Sequence, residues 1–342
     1  MRYDAPPWQL FEDLVRRILE SNNFNVQVNS PRGDAGFDFR ALIATEIWAI
    51  EVKYYRTARA QPRLIESAAM RLIRNGINAQ AKKGMLVVSC LLSDVLRDEL
   101  EKKFSITFVD RTDLRRQASV RPELAEELDA LLEDSSVLQQ QNVPSFRGDL
   151  AQSRPLEESG TLTVDTRGTD LCQRLRQIGR GKKGWADYEK ICGEILSYLF
   201  PNDLYGWHSQ QRTDDGLNRF DLVCRVRPTT EFWRFLIDHL DSRYALFEFK
   251  NYAGKIRQGQ ILTTEKYLLE RGLRRVAIIL TRAGADKAAV LMTQGAMREH
   301  GKLMLIVNDE KICEMLHMKE RGDDPSDCLF ELADKFLLSL PR

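Results

Sequence analysis

The chain of 342 residues lacks the uninterrupted apolar run of about 18 residues that a membrane-spanning helix needs. Its first residues, Met1-Arg2-Tyr3-Asp4, are followed closely by two prolines and also lack the apolar segment of a secretory signal. These two absences predict a cytoplasmic protein that has no membrane partner.

Cysteine and histidine are scarce and poorly spaced for metal binding. The six cysteines include no Cys-x-x-Cys pair, and the four histidines show no spacing typical of a ligand pair. We therefore expect neither a zinc centre nor a disulfide framework, and we expect the cysteines to be buried thiols. The sequence also has no Gly-x-x-x-x-Gly-Lys loop, so any ATP-driven step would require a separate ATPase as partner.

The formal charge is only +1, but the charged residues are unevenly distributed along the chain. Residues 1–118 contain 19 basic and 15 acidic side chains, residues 119–165 contain 3 and 10, and residues 166–342 contain 29 and 25. This pattern predicts two mildly basic domains, 1–118 and 166–342, joined by an acidic, partly disordered linker at 119–165. The basic surplus of both domains gives weak support for a phosphate-containing partner.

Hydrophobic periodicity predicts an α/β fold for both domains. Apolar residues at helical spacing indicate a first helix at 8–20, and the elements follow in the order α-β-β-β-α-β-α-β. A short helix is predicted at 122–132, in the linker. A helix at 185–200 begins the same order of elements again, and an inserted amphipathic helix is predicted near 230–240. We therefore expect two domains, each with an αβββαβ core in which helices flank a central mixed sheet. The repeated element order indicates a tandem duplication.

Two predicted strands of the first domain bring acidic and basic side chains together. Glu51 and Lys53 are two residues apart and face the same side of a strand, whereas Val52 faces the core. A glycine-containing turn leads into the preceding strand, so Asp38 can lie across a hairpin from Glu51. Mg²⁺ prefers carboxylate oxygens, and a lysine can neutralise charge that develops on a phosphate. The three residues therefore predict a Mg²⁺ site that hydrolyses a phosphodiester bond.

The second domain repeats this arrangement with Asp221, Glu248 and Lys250. The interval from aspartate to glutamate grows from 13 to 27 residues, and the inserted helix accounts for the difference. A third Glu-x-Lys triplet, at 101–103, lies in a predicted helix without an upstream strand carboxylate. We assign that triplet no catalytic role.

The residues around both triads resemble a known family. The N-terminal 115 or so residues resemble the Mrr-like restriction endonucleases of the PD-(D/E)XK nuclease superfamily, and residues 185–310 resemble a second, more diverged copy. The first resemblance rests on five segments: Phe11–Val15, Gly33–Asp38, Ile50–Tyr55, Lys83–Ser89 and Phe108–Asp110. The second rests on four motifs: Glu189, Arg219–Asp221, Glu248–Lys250, and Gln258 or Gln260. Many Mrr-like members have Gln at the position of Glu51, where the wider superfamily usually has Glu.

The resemblance implies two restriction-endonuclease-like domains that cleave DNA with Mg²⁺, for which Mn²⁺ can substitute. The implied metal ligands are the four carboxylates of the triads: Asp38, Glu51, Asp221 and Glu248. The first-helix glutamates, Glu12 and Glu189, would support the metal sites. The family further implies a role in prokaryotic restriction or anti-phage defence, with DNA and defence-system proteins as partners. A homo-oligomer is left open.

Other interpretations of the same residues stay open. Glu51 and Lys53 could form a surface ion pair, and the second triad could be an inactive copy kept for binding. The protein would then bind nucleic acid or a partner protein without cutting it, or it could be a structure-specific DNA repair or junction nuclease. Glu12 and Glu189 could be solvated.

Residues near the triads are further candidates for DNA contacts, although packing or solvent exposure explains them equally well. The candidates are Tyr54, Tyr55, Tyr252, Arg56, Arg59, Arg63, Lys255 and Arg257. Asp34 and Asp215 fit turn positions better than catalytic ones.

Overall fold

A computed structural model describes most of the chain as two compact units. The described residues are 5–28, 36–43, 45–132, 153–157, 164–209 and 220–341. Unit 1 consists of Met1–Asp165 together with the short segment Glu320–Asp323. Unit 2 consists of Thr166–Lys319 and Asp324–Arg342.

Unit 1 is built on a mixed sheet. Its described elements are, in chain order, α1 Pro7–Ser21, β1 Asn25–Val28, β2 Phe39–Ile43, β3 Glu46–Lys53, α2 Pro62–Asn78, β4 Lys83–Val88, α3 Asp94–Lys103, β5 Thr107–Val109, α4 Arg111–Ala118 and α5 Pro122–Leu131. The sheet follows the order β1-β2-β3-β4-β5. The first three strands are antiparallel neighbours, and β3, β4 and β5 run parallel.

Helices cover both faces of the unit 1 sheet. Successive side chains of a strand point to opposite faces, so Trp48 and Ile50 join one buried cluster and Ala49 joins the other. The first cluster also contains the apolar sides of α1, α4 and α5, and the second contains those of α2 and α3. This layering holds β3 as the central strand of the sheet. Its carboxyl-terminal end lies at one end of the strands and not at an outer strand.

Part of the predicted linker packs within unit 1. Helix α5 lies where the short helix was expected, and its Leu124 and Leu128 are buried in the first cluster. The backbone N–H of Leu156 donates a 2.8 Å hydrogen bond to the carbonyl oxygen of Lys82, and its side chain packs against the second cluster. Unit 1 therefore extends past the predicted boundary at residue 118. The remaining linker residues, 133–152 and 158–163, lie outside the described part of the chain.

Unit 2 has the same strand order. Its described elements are α6 Arg167–Gln177, a 3-10 turn at Lys182–Gly184, α7 Trp185–Leu199, β6 Leu204–Ser209, β7 Leu222–Val226, α8 Glu231–Asp238, β8 Tyr244–Lys250, α9 Gln258–Lys266, β9 Val276–Thr281, α10 Lys287–His300, β10 Leu303–Asn308, α11 Asp309–Glu320 and α12 Pro325–Leu338. Strands β6, β7 and β8 are antiparallel neighbours, and β8, β9 and β10 run parallel. Helices also cover both faces of this sheet.

The predicted fold class is confirmed. In the described residues, each unit contains one mixed five-stranded sheet flanked by helices. Helix α8 is the predicted insertion, and its Phe232, Trp233 and Leu236 are buried in the unit 2 core. Hydrophobic periodicity does not predict α4 or α6, because each is short and rich in charged residues. No helix in the described part of the chain is both long enough and apolar enough to cross a membrane.

The cysteine prediction needs one correction. Cys172 on α6 and Cys313 on α11 form a disulfide within unit 2. The two residues are 141 positions apart in the sequence, so local spacing gives no sign of the pair. The other four cysteines are free and buried, as expected: Cys90, Cys192, Cys224 and Cys328.

Candidate active site

The carboxyl-terminal end of β3 brings Asp38, Glu51 and Lys53 together. Asp38 directly precedes β2, and the antiparallel register pairs Phe39 with Ile50. The Asp38 carboxylate accepts a 2.7 Å hydrogen bond from the backbone N–H of Val52, the residue between Glu51 and Lys53. Sheet pairing therefore fixes the aspartate beside the other two members of the predicted triad.

Lys53 lies between two carboxylates. Its Nζ is 2.8 Å from Oε1 of Glu51 and 2.9 Å from Oδ1 of Asp323. The lysine is only 6% exposed, and burial disfavours its charge, but attraction to Asp323 and Glu51 outweighs burial and raises its pKa. Lys53 is therefore a permanent cation at this site.

Burial has the opposite effect on the acids of the site. It raises the pKa of Asp38 and of Glu51, and repulsion between the two carboxylates adds to the effect on Glu51. Lys53 opposes both shifts. Two carboxyl groups with raised pKa values beside a buried ammonium group are typical of a functional site.

Glu12 belongs to the same group of charges. It is half-buried on α1, and its pKa is raised by burial first and by the charge of Glu51 second. The structure therefore brings Glu12 near the first triad, as the family pattern implies. Its role in supporting a metal stays a prediction.

Asp323 is the site residue that the sequence reasoning missed. It belongs to the segment Glu320–Asp323 of unit 1, and 270 positions separate it from Lys53. The hydroxyl of Tyr55 donates a 2.7 Å hydrogen bond to the carbonyl oxygen of Gly322, which holds this segment against the site. A separation of this length leaves no local pattern in the sequence that could have indicated the contact.

The second triad has the same backbone arrangement. Asp221 directly precedes β7, and its carboxylate accepts a 2.8 Å hydrogen bond from the backbone N–H of Phe249, the residue between Glu248 and Lys250. The Nζ of Lys250 is 2.5 Å from Oε2 of Glu248. Burial, followed by the charge of Asp221, raises the pKa of Glu248. Attraction to Glu248 raises the pKa of Lys250 despite its burial.

Glu189 is half-buried on α7, next to the buried Tyr188. The predicted role of Glu189 in the second site stays a prediction. Glu101 and Lys103 lie on α3, where Lys103 pairs with Glu66 at 2.7 Å. That geometry agrees with assigning the third Glu-x-Lys triplet no catalytic role.

The aromatic candidates for DNA contacts separate into packed and exposed residues. Tyr55 is buried, and Tyr54 packs against Phe11 with ring centroids 5.8 Å apart. Tyr252 is 47% exposed, and the basic candidates Arg59, Arg63, Lys255 and Arg257 are exposed as well. Arg56 is half-buried. Asp34 and Asp215 lie outside the described residues.

Each triad contains a buried carboxylate oxygen without a hydrogen-bond partner in the described structure. Oε2 of Glu51 and Oε1 of Glu248 are buried and have no hydrogen-bond partner in the described structure. An unpaired buried carboxylate oxygen is costly unless a ligand satisfies it. The donor sets therefore fit a divalent cation.

Few carboxylates are available at each site to hold a metal ion. Within the described ranges, no three His, Cys, Asp or Glu side chains are grouped closely enough to enclose a metal ion. Mg²⁺ commonly takes one or two protein carboxylates and completes its octahedral shell with water and substrate phosphate. A pair of carboxylates in each unit is sufficient for that mode of binding.

Solved structures give distant likenesses only. A protein of unknown function, AF1548, is 15% identical with a TM-score of 0.25, and the match covers 54% of this chain and 88% of AF1548. The DNA modification-dependent restriction endonuclease AspBHI is 14% identical with a TM-score of 0.27, covering 62% of this chain and 52% of AspBHI. Restriction endonuclease FokI is 12% identical with a TM-score of 0.32, covering 80% of this chain and 48% of FokI. The chain thus spans about half the length of AspBHI and of FokI. Similarities of this size do not support a conclusion about function.

The family comparison is more informative. No curated protein matches the chain. The family model of the Mrr-like catalytic domain, described as a restriction endonuclease, matches residues 4–117. This range contains Glu12, Asp38, Glu51 and Lys53 and ends before unit 2 begins, so the membership of unit 2 in the same family stays a prediction. Residues 4–117 are thus similar to the restriction endonucleases that this family model describes.

Proposed function

We propose that this protein is a Mg²⁺-dependent DNA endonuclease with two phosphodiester-cleaving sites, one in each unit. The supporting observation is the shared position of the two aspartates. In each unit, the aspartate accepts a hydrogen bond from the backbone N–H of the residue between the glutamate and the lysine. Three groups suited to metal-assisted hydrolysis therefore meet twice in one chain.

In the first site, Asp38 and Glu51 would hold Mg²⁺, or Mn²⁺ in its place. A bound ion of this kind polarises a phosphoryl oxygen and lowers the pKa of a coordinated water. Lys53 remains protonated and fixed, so it can neutralise the charge that develops on the phosphate or orient the attacking water. Glu12 would support the ligands; the charge of Glu51 raises the pKa of Glu12, and the charge of Glu12 raises the pKa of Asp38.

In the second site, Asp221 and Glu248 would hold the ion, and Lys250 would have the role of Lys53. Glu189 would correspond to Glu12. Two sites in one polypeptide can cut both strands of a duplex without a second subunit, although the proposal also allows a homo-oligomer. We place the protein in prokaryotic restriction or anti-phage defence in the cytoplasm, with a separate ATPase or defence-system protein as partner.

Nicking of a supercoiled plasmid tests the proposal. The wild type, Asp38→Ala, Asp221→Ala and the double variant are compared in Mg²⁺, in Mn²⁺ and in EDTA. We expect the wild type to give linear DNA in either metal, each single variant to accumulate nicked circles, and the double variant to be inactive. The exposed Asp98 provides a matched control, since Asp98→Ala removes a carboxylate on α3 that belongs to neither proposed site.

Three outcomes would change the proposal. If only one aspartate matters, the two-site version fails. Retention of DNA without cleavage in any divalent metal, unchanged in both variants, would indicate a nucleic-acid-binding protein instead. Preferential cleavage of branched substrates would indicate a structure-specific repair or junction nuclease.

A further inference from the structure

A short basic loop precedes the first helix of the unit 2 core. The segment Gly179–Gly184 connects α6 to the 3-10 turn before α7 and carries Arg180, Lys182 and Lys183. All three cations are exposed, and none forms an ion pair with a carboxylate in the residues that the structure describes. Three exposed cations within four residues form a concentrated positive surface, and the charge of Arg180 also acts on Asp309.

Hydrogen bonds fix this loop to the residue that follows strand β8, which carries Glu248 and Lys250. The backbone N–H of Gly181 donates to the carbonyl oxygen of Asn251 at 2.7 Å. The side-chain amide of Asn251 donates to the carbonyl oxygens of Gly179 and Gly181 at 2.9 and 3.0 Å. Because Asn251 directly follows Lys250, these bonds place the loop next to the second triad.

The loop also depends on its glycines. Gly181 has a φ of 90°, a value that residues with a side chain rarely adopt. A Cβ on Gly184 would lie 2.1 Å from the carbonyl oxygen of Gly179, which is backbone and cannot move aside cheaply. The backbone is therefore held in a specific conformation, whereas a loop that only displays solvated lysines needs no such constraint.

Further cations follow strand β8 directly in the chain. The chain after Asn251 exposes Tyr252, Lys255 and Arg257, and Nη1 of Arg180 donates to the carbonyl oxygen of Ala253 at 3.3 Å. Two exposed basic segments, which contact each other, thus adjoin the end of the strand that carries Glu248 and Lys250.

We propose that Gly179–Gly184 is a nucleic-acid-binding loop, in which Arg180, Lys182 and Lys183 contact the phosphodiester backbone of the strand presented to the second triad. This inference rests on the proposed function, because it assigns the substrate of that site. Contacts with phosphates position a strand without reading its sequence. The loop would therefore contribute affinity and register, and it would confer no base preference.

Binding of a labelled DNA duplex tests the loop without requiring cleavage. The full-length Asp38→Ala/Asp221→Ala protein is compared with the same protein carrying Arg180→Ala, Lys182→Ala and Lys183→Ala. Each phosphate contact contributes about 0.9 to the slope of log K against log salt, so the loop variant should lower that slope by about 2 to 3. The matched control removes three exposed cations of unit 2 outside the loop: Lys266, Arg271 and Lys335. An equal slope change in the loop and control variants would overturn the proposal.

A second measurement reports directly on the loop lysines, even if unit 1 dominates the affinity. Acetylation of Lys182 and Lys183 is followed by mass spectrometry with and without DNA, and Lys266 and Lys335 serve as internal controls. We expect DNA to protect the two loop lysines at least about threefold more than the controls. Equal protection of the loop lysines and the control lysines would reject the proposal that the loop binds DNA, whatever the plasmid assay shows. Cleavage that depends on Asp221, combined with an unprotected loop, would reject this inference alone, whereas a protected loop without cleavage would reject only the proposed nuclease activity.

Discussion

The carboxylate of Asp38 accepts a hydrogen bond from the backbone N–H of Val52. Asp221 has the same relationship to Phe249, although 27 residues separate it from Glu248 and only 13 separate Asp38 from Glu51. The geometry is conserved between the units because each aspartate directly precedes a strand that pairs antiparallel with the glutamate strand. The added helix α8 lies between the two strands in sequence and does not alter their register.

Asp38→Asn separates the charge of the aspartate from its structural role. The asparagine oxygen can still accept the hydrogen bond from Val52, but the ligand charge is lost. We expect normal folding and a decrease in first-site nicking of at least about 100-fold, the scale of losing one group that stabilises developing charge. The measurement is plasmid nicking in an Asp221→Ala background.

Asp38→Leu is the matched variant, because it removes both the charge and the acceptor. Leaving the Val52 N–H without a partner should lower the free energy of unfolding by about 1–3 kcal/mol, whereas Asp38→Asn should leave it nearly unchanged. Urea unfolding compares the two variants. Equal destabilisation by both would show that the charge, and not the hydrogen bond, fixes the aspartate.

The raised pKa values predict how stability depends on pH in the absence of metal. Burial and neighbouring carboxylates raise the pKa of Glu51 to about 7, from an ordinary value of 4.5. The folded protein then retains a proton that the unfolded chain has released, so the free energy of unfolding falls as pH rises from 4.5 to 7, by at most about 1.4 kcal/mol per pH unit. Urea unfolding in EDTA should show a shallower decrease for Glu51→Gln than for the wild type. If the free energy of unfolding depends on pH in the same way in both proteins, Glu51 does not have a raised pKa.

The same protonation limits metal binding. A carboxyl group that holds its proton is a poor ligand, so the affinity of the first site for Mn²⁺ should fall as pH drops below about 7. First-site nicking should lose activity over the same range. Isothermal titration with Mn²⁺ at several pH values measures the effect in an Asp221→Ala background, and Glu51→Gln in the same background is the non-binding control. An affinity that does not change between pH 8 and pH 6 would exclude Glu51 as a ligand with a raised pKa.

Local patterns in the sequence were sufficient to predict the sheets and the proximity of the residues in each proposed triad. Glu51 and Lys53 share a face because strand side chains alternate, and Phe11 and Leu14 mark the buried side of α1 because helical neighbours recur every three to four residues. Both signals span a few positions, and the order of elements then limits which strands can pair. The backbone contact of Asp38 follows from that pairing.

Contacts between distant positions could not be predicted in this way. Asp323 reaches Lys53 across 270 residues, and Cys172 reaches Cys313 across 141. Neither contact leaves a periodic or spaced pattern in the sequence. The loop at Gly179–Gly184 was missed for a related reason, since its position beside the second triad depends on hydrogen bonds to Asn251.

Asp323→Asn tests the role of the additional carboxylate in unit 1. The side chains of Lys53 and Asp323 are 8% and 28% exposed, so loss of the ion pair should lower the free energy of unfolding by about 1–3 kcal/mol. If Glu51 binds a cation, Asp323 is the carboxylate left to hold Lys53, so first-site nicking should also fall about 10-fold. Asp334→Asn, an exposed change on α12, is the control. Unchanged stability and unchanged nicking together would remove Asp323 from the site.

The disulfide between Cys172 and Cys313 predicts that unit 2 is sensitive to reduction. The bond closes a loop of 141 residues, and its loss should lower the free energy of unfolding of unit 2 by about 2–4 kcal/mol, because the reduced unfolded chain gains conformational freedom. Both sulfur atoms are in nearly inaccessible residues, 2% and 3% exposed, so reduction should require opening of the core and proceed slowly in the folded protein. Urea unfolding with and without dithiothreitol measures the difference. The Cys172→Ala/Cys313→Ala variant is the control, and its free energy of unfolding should not change with the reductant. If the free energy of unfolding of the wild type is also unchanged, the disulfide does not stabilise unit 2.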